Sequence, residues 1–541
     1  MIKENLFENA KRVFSEKFKF LQNDPKILIL DQETHNLISI LFTEQELKSD
    51  NFIEFRHINN LKYDVNYTNE LKIIYILNST QENINLLKIK LSVEHKSKML
   101  NDCYIYFTQY NSVEFIKATS ILCYKNVKII DEFNINYHIV HNNAFHFNIE
   151  NLNLEFSEKK IIVDNLYNLL LNLSFVPDVI CNNKSKLCSD IHELLTNKIS
   201  SQKNMLFSNE GKNLLVILDR KNDPITPIIT SWIYLPLIHN IFDIKNNKIF
   251  ENTIININSD KFLNDNCFKD YGALCDNLKC FISEYIDDTN IIKNLNNNKD
   301  IAKLKGKLIQ NNNLKKFVNK HNNIVKLIND HANNNKLYDI SELEQEIITN
   351  CMVDHNNIIQ RMSDIIVCNK IDDYYKLKII IIYLFRTKKS IIDNVSLLEL
   401  LFNNITNKGL LNAIELFMDY INDEVNKPSI KSIMTHIISK IKLNVNNVNK
   451  LMQFNPEIND ILSNLSKNKF KYNEKISFNV KEYKNIIIYF VGGVTYDEIK
   501  IIEEYNLKYN YKYFIGGDCI LNNKKFIDLI DKSFGSNNCN K

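Results

Sequence analysis

The sequence predicts an α/β protein with two parallel-rich sheet domains and a large, mainly helical insertion. Three observations lead to this fold class. Short apolar runs alternate with amphipathic stretches early in the chain, as they do in βαβ units. Long stretches with helical periodicity then dominate from about residue 236 to about residue 475. After residue 475 the alternation of strand and helix returns, and 541 residues suffice for about three or four domains.

The composition excludes several classes of protein. Hydrophobic residues make up 45% and charged residues 24% of the chain, so extensive disorder is excluded. A formal net charge of +3 gives no basic excess for binding nucleic acid. The eleven cysteines contain no CxxC pair, which favours a reducing cytosol. Apolar runs such as Ile379–Phe385 are too short for a membrane span of about 18 residues, so we expect a soluble protein with peripheral membrane contact.

The first part of the chain is predicted to form a parallel sheet. Met1–Phe20 mixes charges with spaced apolar residues, which indicates an amphipathic helix rather than a signal peptide. Four apolar runs predict strands: Lys26–Leu30, Phe52–Phe55, Lys72–Leu77 and Tyr104–Phe107. The stretches between and after them predict helices: Thr43–Leu47, Thr80–Leu91 and Ser112–Cys123.

The centre of the chain changes from strands to helices. Strand-like runs within Ile129–Val140 and a helix near Asn183–Ile199 precede a buried strand at Asn213–Leu218. The long helical stretches follow: Ile301–Ala332, Ser341–Cys368 and Tyr374–Phe385. Asparagine-rich patches predict turns or loop tips: Asn296–Asn298, Asn311–Asn313 and Asn333–Asn335.

Two strand–glycine–helix units end the chain. The strands Asn485–Val491 and Lys512–Ile515 each run into a glycine doublet, Gly492-Gly493 and Gly516-Gly517. Helices are expected at Asp497–Tyr505 and Lys524–Ile530. These strands need a sheet to join, and Asn213–Leu218 is the natural partner. The helical region is therefore predicted to be an insertion into one sheet domain.

The glycine doublets allow two interpretations. A phosphate cradle at the carboxyl ends of parallel strands would suit a nucleotide-dependent enzyme. Alternatively, glycine lets the chain turn sharply and lets a helix pack close to the sheet. Neither doublet continues as GxGxxG or as a P-loop, and Asp518 would repel a phosphate. The sequence favours the structural role.

The segment LDRKNDPITP is the densest polar cluster of the chain. It contains Asp219, Arg220, Asp223, Pro224, Thr226 and Pro227. Two carboxylates and an arginine are compatible with an acid–base or metal site. Alternatively, charge-assisted hydrogen bonds from Asp219 and Arg220 would pin a strand end to a loop between domains. We favour the structural interpretation because the loop supplies no nucleophile activated by a histidine.

The histidines and cysteines predict no metal site. The sequence has no HExxH. The spacing of His138, His141 and His146 does not place all three on one face of a strand. Cys275 and Cys280 fit better as small apolar helix residues than as ligands.

A longer segment resembles a known family. LLVILDRKNDPITPIITSWIYLPLIHNIFDI (Leu214–Ile244), which includes Trp232, is similar to the signature of the Sec/Munc (SM) family, whose members regulate SNARE-mediated membrane fusion. Further segments resemble the family in the same order: Pro25–Leu47, Lys72–Ile84, Leu337–Ile347 and the two C-terminal strand–glycine–helix units. Leu337–Ile347 resembles the end of the long helix of domain 3a. The resemblance covers nearly the whole chain and is strongest with the endosomal and trans-Golgi branch.

The resemblance implies an arch of three domains without catalytic activity, cofactor or metal. Domain 1 would span residues 1–131, domain 2 residues 132–233 and 478–541, domain 3a residues 234–355 and domain 3b residues 356–477. The implied partners are a syntaxin-type SNARE of the endosomal or trans-Golgi class, the assembled SNARE complex and tethering factors. The protein would be cytosolic and would reach Golgi or endosomal membranes through those partners. The alternative function is a nucleotide-dependent enzyme that uses the strand–glycine loops.

The resemblance also implies a groove on domain 1 for the N-terminal peptide of a syntaxin. In the family, an apolar residue early in the helix after the fourth strand forms its floor, and an acid farther along flanks it. In this chain these residues are Phe115, with Ile116 and Ile130 beside it, and Glu132. The alternative is that Phe115 is a core residue of an amphipathic helix.

Three features depart from the family pattern. The WTYQ of the signature is Trp232-Ile233-Tyr234-Leu235 here. Ile309 stands where a proline often marks the hinge of the domain 3a hairpin, so we expect an extended hairpin or a bend at Asn311–Asn313. Asn36 and Thr43 replace the arginine and lysine with which neuronal relatives grip closed syntaxin, which argues against that binding mode.

Overall fold

The N-terminal part of the chain folds around an open sheet. The computed structural model describes residues 5–60, 71–96, 101–108, 124–201, 212–250, 253–295, 301–349, 355–387, 395–422, 450–470, 479–509 and 512–535. The strands of the first sheet are β1 (Lys26–Leu30), β2 (Phe52–His57), β3 (Lys72–Leu77), β4 (Cys103–Phe107) and β5 (Val127–Glu132). The helices beside them are α1 (Leu6–Lys17), α2 (Gln32–Leu41), α3 (Glu44–Ser49) and α4 (Gln81–Lys96).

The first sheet is parallel throughout. Its strand order is β2-β1-β3-β4-β5, and each neighbouring pair is parallel. The chain builds outward from β1 to β2 and then crosses back to β3, so the direction of winding switches between β1 and β3. Both faces of the central strands are buried, as in most parallel sheets. The predicted parallel sheet is confirmed, whereas the helix predicted at Ser112–Cys123 lies outside the described residues.

The next segment adds strands and two packed helices. These elements are β6 (His138–His141), β7 (Ala144–His146), α5 (Phe156–Leu173), β8 (Pro177–Cys181), α6 (Lys186–Ser201) and β9 (Lys212–Asp219). Helix α5 is not predicted by the sequence pattern. Its asparagines explain why, since Asn165, Asn168 and Asn172 are buried and interrupt the apolar pattern of the helix.

Helices dominate the region between β9 and the C-terminal strands. They are α7 (Tyr234–Phe242), α8 (Lys261–Asn266), α9 (Tyr271–Leu295), α10 (Ile301–Asn334), α11 (Leu337–Thr349), α12 (His355–Val367), α13 (Asp373–Thr387), α14 (Val395–Asn404), α15 (Asn412–Asn422) and α16 (Glu457–Ser466). A small hairpin of β10 (Lys248–Ile249) and β11 (Thr253–Ile254) follows α7.

Two predictions for this region are wrong. Asn311–Asn313 does not form a turn, because α10 continues through it without interruption. Asparagine lowers helix propensity only modestly, and packing readily overrides that preference. Leu337–Ile347, which resembles the end of the long helix of domain 3a, belongs instead to α11, a helix separate from α10, after a turn in which Lys336 has φ +51°. The helical stretch predicted at Ser341–Cys368 contains α11 and α12.

The last elements of the chain complete the second sheet. They are β12 (Tyr483–Val491), β13 (Val494–Thr495), α17 (Tyr496–Lys508), β14 (Lys512–Gly517), β15 (Ile520–Leu521) and α18 (Asn523–Phe534). The sheet has the order β6-β7-β14-β12-β9-β8, and β12 pairs in parallel with both β9 and β14. The predicted pairing is confirmed, so the helical region is an insertion into this sheet.

The two sheets share one hydrophobic core. A single cluster joins Leu28 and Ile74 of the first sheet to Tyr489 and Phe514 of the second, with Phe14 of α1 among them. A separate cluster fills the helical region from α11 to α15 and includes Leu521 beside the second sheet. Among the described residues, no helix is long and apolar enough to cross a membrane.

Candidate functional site

The signature loop comprises residues 219–232 and begins with Asp219, the last residue of β9, which ties this strand to α6. Its carboxylate accepts hydrogen bonds from the backbone N–H of Lys221 at 2.9 Å and from the hydroxyl of Ser185 at 2.5 Å. Ser185 directly precedes α6, and its hydroxyl also accepts a hydrogen bond from the N–H of Cys188. Asp219 therefore fixes the end of the strand and the start of the helix together.

Arg220 makes its hydrogen-bonded ion pair with a residue far along the chain, and Asp223 lies farther away, at 3.9 Å. Its two terminal nitrogens donate to the two carboxylate oxygens of Glu498 on α17, at 2.9 Å each. The guanidinium carbon lies 4.6 Å from the centre of the Phe490 ring. The charge-assisted bond predicted for Arg220 thus exists, and it joins β9 to the C-terminal segment.

The environment of Arg220 keeps it charged. Burial on its own would lower the pKa of Arg220, but Glu498 and Asp223 outweigh that effect and raise the pKa. Glu498 is itself fully buried and completes a capping box, in which it accepts a bond from the N–H of Thr495 at 2.9 Å. The carboxylate of Glu498 therefore caps the start of α17 and also binds Arg220, which follows β9.

The second acid of the loop also joins two segments. Asp223 accepts a hydrogen bond from the N–H of Thr226 at 3.0 Å and another from its hydroxyl. It also accepts from the N–H of Glu457 at the start of α16, at 3.1 Å. The carbonyl of Pro227 accepts a bond from Asn523 of α18 at 2.9 Å. These contacts use the acids and prolines of the loop for structure.

A buried ion pair anchors the loop to the helical region. Lys378 of α13 lies 2.6 Å from Glu344 of α11, and both side chains are fully buried. Lys378 also donates to the hydroxyl of Thr230 at 2.6 Å, while Glu344 accepts from the N–H of Thr230 at 2.8 Å. Burial lowers the pKa of Lys378, and Glu344 partly offsets this effect.

Trp232, near the end of the loop, stacks on Tyr338. Its ring lies 4.2 Å from that of Tyr338 on α11, with 16° between the planes. Its carbonyl accepts a bond from the N–H of Tyr271 at 2.9 Å, at the start of α9. Trp232 is buried, as are Asp219, Arg220, Asp223 and Thr226 of the same loop.

The glycine doublets are packing positions in this structure. Gly492 has φ +95°, and a Cβ there would lie 2.8 Å from Cβ of Arg220. A Cβ on Gly516 would overlap the ring of Phe145. The N–H of Gly492, which a phosphate would need, donates instead to Asp518 at 2.6 Å. The structural interpretation fits these contacts, and a phosphate cradle does not.

Two of the four residues predicted for the peptide groove lie outside the described residues, namely Phe115 and Ile116. Ile130 and Glu132 lie on β5, which is an edge strand of the first sheet. Ile130 is half-buried and packs against the apolar cluster on one face of the sheet. Glu132 accepts a bond from Asn168 of α5 at 3.2 Å, and burial raises the pKa of Glu132.

The helical hairpin of α9 and α10 is anchored at its base. Tyr234 and His321 are hydrogen-bonded at 2.8 Å, and the other ring nitrogen of His321 lies 2.9 Å from Asp260. Tyr271 of α9 donates to Asn329 of α10 at 2.9 Å. Helix α10 is continuous through Ile309, and the role of that residue as a hinge stays a prediction.

Asn36 and Thr43, the two positions at which neuronal relatives grip closed syntaxin, make hydrogen bonds with residues of nearby helical turns. Thr43 caps α3, since its hydroxyl accepts a bond from the N–H of Glu46 at 3.3 Å. Asn36 on α2 accepts a bond from Gln32 at 3.2 Å. Neither residue carries a charge that could replace the arginine or lysine of neuronal relatives.

The histidines form no metal centre in the part of the chain that the structure describes, where no group of three possible ligands occurs. His138 of β6 stacks on His146 of β7, with ring centres 4.9 Å apart. Burial lowers the pKa of His138 to about 4.

The partners of the signature loop are not predictable from the sequence pattern. Glu498, Glu344, Lys378 and Asn523 are all distant from the loop in sequence. The one local signal was Thr495-x-x-Glu498, which has the pattern of a capping box and marks the start of α17. That pattern places Glu498 at a helix start but does not reveal its bond to Arg220.

Comparisons with known proteins agree with this architecture. The model of the Sec1 family matches residues 26–529. The vacuolar protein sorting-associated protein 45 of Dictyostelium discoideum is 25% identical over 547 residues, covering 95% of this chain and 94% of the relative. The solved structure of SM protein Vps45 in complex with Qa SNARE Tlg2 (1-310) superposes with a TM-score of 0.84 at 19% identity, covering 98% of each chain. That of Sly1p in complex with an N-terminal peptide of Sed5p has a TM-score of 0.75 at 18% identity, covering 99% of this chain and 100% of the other.

These matches fix the fold as that of the SM proteins, with two parallel-rich sheet domains and a mainly helical insertion arranged as an arch. The similarity extends along nearly the whole chain and includes the branch of vacuolar protein sorting-associated protein 45. The chain belongs to the Sec1 family.

Proposed function

We propose that this protein binds a syntaxin-type SNARE and regulates or templates SNARE assembly during vesicle docking and fusion. The route is that of the endosome, trans-Golgi network and vacuole. The similarity of the whole chain to the vacuolar protein sorting-associated protein 45 relatives carries this proposal. Solved structures of similar fold hold a Qa SNARE, Tlg2, or an N-terminal peptide of Sed5p.

The protein acts by binding and not by catalysis. The acids and the arginine of the signature loop are engaged in buried structural bonds, so they are unavailable as an acid–base or metal site. The strand–glycine loops are filled by Asp518 and by side chains packed on the glycines. The protein is cytosolic and reaches Golgi or endosomal membranes through its SNARE partners and tethering factors.

The N-terminal peptide of the syntaxin binds at the edge of the first sheet. The groove is formed by Phe115, Ile116, Ile130 and Glu132, with the apolar residues holding an apolar anchor of the peptide. Glu132 pairs with a basic residue of the peptide. Its position at the end of an edge strand and its partial exposure leave it accessible from that side.

Titration of the full chain with purified cytosolic regions of the syntaxin-type SNAREs of the same cell tests the proposal. One of them is expected to bind with a Kd in the range of about 1 μM or below, and to lose affinity when its N-terminal peptide is deleted. Failure of every syntaxin to bind would refute the proposed function.

The nucleotide-dependent alternative is tested by thermal denaturation with ATP and GTP. A ligand at 100 times its Kd would add about 2.7 kcal/mol to the free energy of unfolding. We expect no saturable shift of the midpoint, and a saturable shift would favour the enzyme.

A further inference from the structure

Helix α5 has a polar face where it meets α1 and the chain that follows β5. Asn165, Asn168 and Asn172 are three and four residues apart, so they share one face of the helix. All three are at most 6% exposed. Leucine has a higher helix propensity than asparagine, and its side chain needs no hydrogen-bond partner when it is buried. Helix stability therefore does not account for the asparagines, but their partners do.

Two of the asparagines hold α5 in place. The side-chain amide of Asn172 donates to the carbonyl of Asn134 at 3.0 Å, and its own carbonyl accepts from Asn9 of α1 at 3.0 Å. Asn165 accepts a hydrogen bond from the amide of Asn136 at 2.6 Å. Because Asn134 and Asn136 follow β5 closely in the chain, these bonds fix the helix against the end of that strand.

The third asparagine of this face binds the last residue of β5. Nδ2 of Asn168 donates to Oε1 of Glu132 at 3.2 Å. Glu132 is partly exposed, and the described residues form no hydrogen bond with its other oxygen, Oε2. A carboxylate accepts at both oxygens, so one oxygen is held by the helix while the other can bind a partner.

The charged groups around Glu132 pair with one another. Asp131 pairs with Lys17 of α1 at 2.5 Å. Lys198 of α6 pairs with Asp164 of α5, also at 2.5 Å. Glu132 forms no ion pair with any residue that the structure describes, so its charge is the one in this group that a basic residue of a partner would neutralise.

Asn168 favours the charged form of Glu132. Burial raises the pKa of Glu132, and the hydrogen bond from Asn168 is the largest effect in the opposite direction. Lys198 also lowers this pKa, whereas the two neighbouring aspartates raise it. Tyr167 on α5 is a further titratable neighbour, and burial raises the pKa of its hydroxyl, so it is uncharged near pH 7. Loss of Asn168 would therefore favour the neutral acid, which attracts no cation.

We propose that Asn168 is a positioning residue, which holds the carboxylate of Glu132 in the orientation that accepts a basic group of a bound polypeptide. This inference rests on the proposed function, in which Glu132 pairs with a basic residue of the syntaxin N-terminal peptide. A carboxylate that is already oriented loses less freedom when the peptide binds. Asn168 acts through Glu132 and makes no contact with the peptide itself.

The pH dependence of peptide binding tests the role of Asn168. The probe is the synthetic N-terminal peptide of the syntaxin that binds the full chain, titrated calorimetrically from pH 5.5 to pH 7.5. The wild type is expected to lose affinity as the pH falls, because protonation removes the charge of Glu132. At pH 6, Asn168→Leu is expected to bind about tenfold more weakly, and its loss of affinity should begin at a higher pH. An unchanged affinity and an unchanged pH dependence overturn the proposal.

A double-mutant cycle separates positioning from a structural role. Glu132→Gln removes the charge, so adding Asn168→Leu to it should change the affinity no further. A further tenfold loss would show that Asn168 acts independently of Glu132 and would overturn the proposal. The matched control is Asn165→Leu, at a buried asparagine of the same helix that bonds to Asn136 instead. It should leave the pH dependence unchanged, and the same shift in this control also overturns the proposal.

The remaining outcomes distinguish this inference from the proposed function. If Asn168→Leu does not fold, Asn168→Ala replaces it, because alanine removes the donor without adding bulk and favours the helix. A wild-type chain that binds no syntaxin peptide refutes both the proposed function and the role of Asn168. A wild-type chain that binds the peptide no differently from the Asn168 variant refutes the role of Asn168 alone.

Discussion

At the scale of single residues, Arg220 depends on one distant partner. It is the largest side chain that is fully buried among the described residues, and Glu498 binds both of its terminal nitrogens. A buried ion pair is weak support for stability as a whole, since both charges have lost water. Removal of one partner nevertheless destabilises the fold strongly, because the other charge stays buried without its hydrogen-bonded counter-ion.

Glu498→Gln is therefore expected to lower the free energy of unfolding by about 3–5 kcal/mol. The fluorescence of Trp232, the only tryptophan of the chain, reports urea unfolding at the signature loop. Glu504→Gln is the matched control on the same helix, since its carboxylate makes an exposed pair with Lys500 worth about 1 kcal/mol or less. Equal losses in the two variants would contradict the role of the buried pair.

Phe115 gives a second prediction at this scale. If it forms the floor of the peptide groove, Phe115→Arg leaves the thermal midpoint nearly unchanged and costs at least about 2 kcal/mol of affinity for a syntaxin N-terminal peptide. A core position would instead destabilise the fold, because an unpaired buried charge is costly. Leu507→Arg, at an 82% exposed position on α17, controls for the added charge. A stable Phe115→Arg variant with normal peptide affinity would remove Phe115 from the groove.

At the scale of elements, the long helix α10 has no proline at the position of the family hinge. Ile309→Pro would remove a backbone hydrogen bond and clash with the preceding turn, at a cost of about 3 kcal/mol. We expect faster amide hydrogen exchange around residue 309 and unchanged exchange near His321, which is bonded to Asp260 at the base. Ile309→Ala should leave exchange close to that of the wild type. Unaltered exchange in Ile309→Pro would show that the helix is already open there.

Elements with a clear apolar pattern were predictable from sequence. Lys26–Leu30 and Lys72–Leu77 match β1 and β3 residue for residue, because parallel strands buried on both faces read as continuous apolar runs. Helix α5 was not predicted, and the turn predicted at Asn311–Asn313 is wrong. The two errors have the same cause. In this asparagine-rich chain, asparagine occurs inside helices, where packing overrides its local preference for turns.

At the scale of the whole molecule, the order of the second sheet was predictable in outline, but its contacts were not. The glycine doublets and the apolar strands indicated that the C-terminal strands join Asn213–Leu218. Nothing local identifies the bonds of Arg220 to Glu498 or of Lys378 to Thr230, since each joins segments far apart in sequence. Domain boundaries and the hinge at Ile309 stay predictions.

The buried acids of the second sheet make the stability of the molecule depend on pH. Burial raises the pKa of Asp518 to about 7, well above the value of about 3.9 in an unfolded chain. Between these values the folded state holds a proton that the unfolded state lacks, so this group lowers stability as the pH rises toward 7. His138 and His239, whose pKa values burial lowers to about 4, act in the opposite direction up to about pH 6.5.

Asp518→Asn isolates the contribution of the acid. From pH 5.5 to 7.5 the variant should gain about 2 kcal/mol of stability relative to the wild type, because the amide does not ionise. Urea unfolding at three pH values measures the difference. Asp531→Asn, at an exposed position of α18, should show no such trend. A constant difference between Asp518→Asn and the wild type would mean that Asp518 is not protonated in the folded protein at pH 5.5.

The insertion into the second sheet also delays the pairing of its central strands while the chain is being synthesised. Asn213 and Asn485 are hydrogen-bonded across β9 and β12, yet they are 272 residues apart. A ribosome that adds about 5–20 residues per second takes roughly 15–50 s to travel from one to the other. During that time the apolar strand β9 has an open edge and no central neighbour, which is the kind of surface that chaperones protect. Premature termination in the insertion would leave that edge exposed permanently.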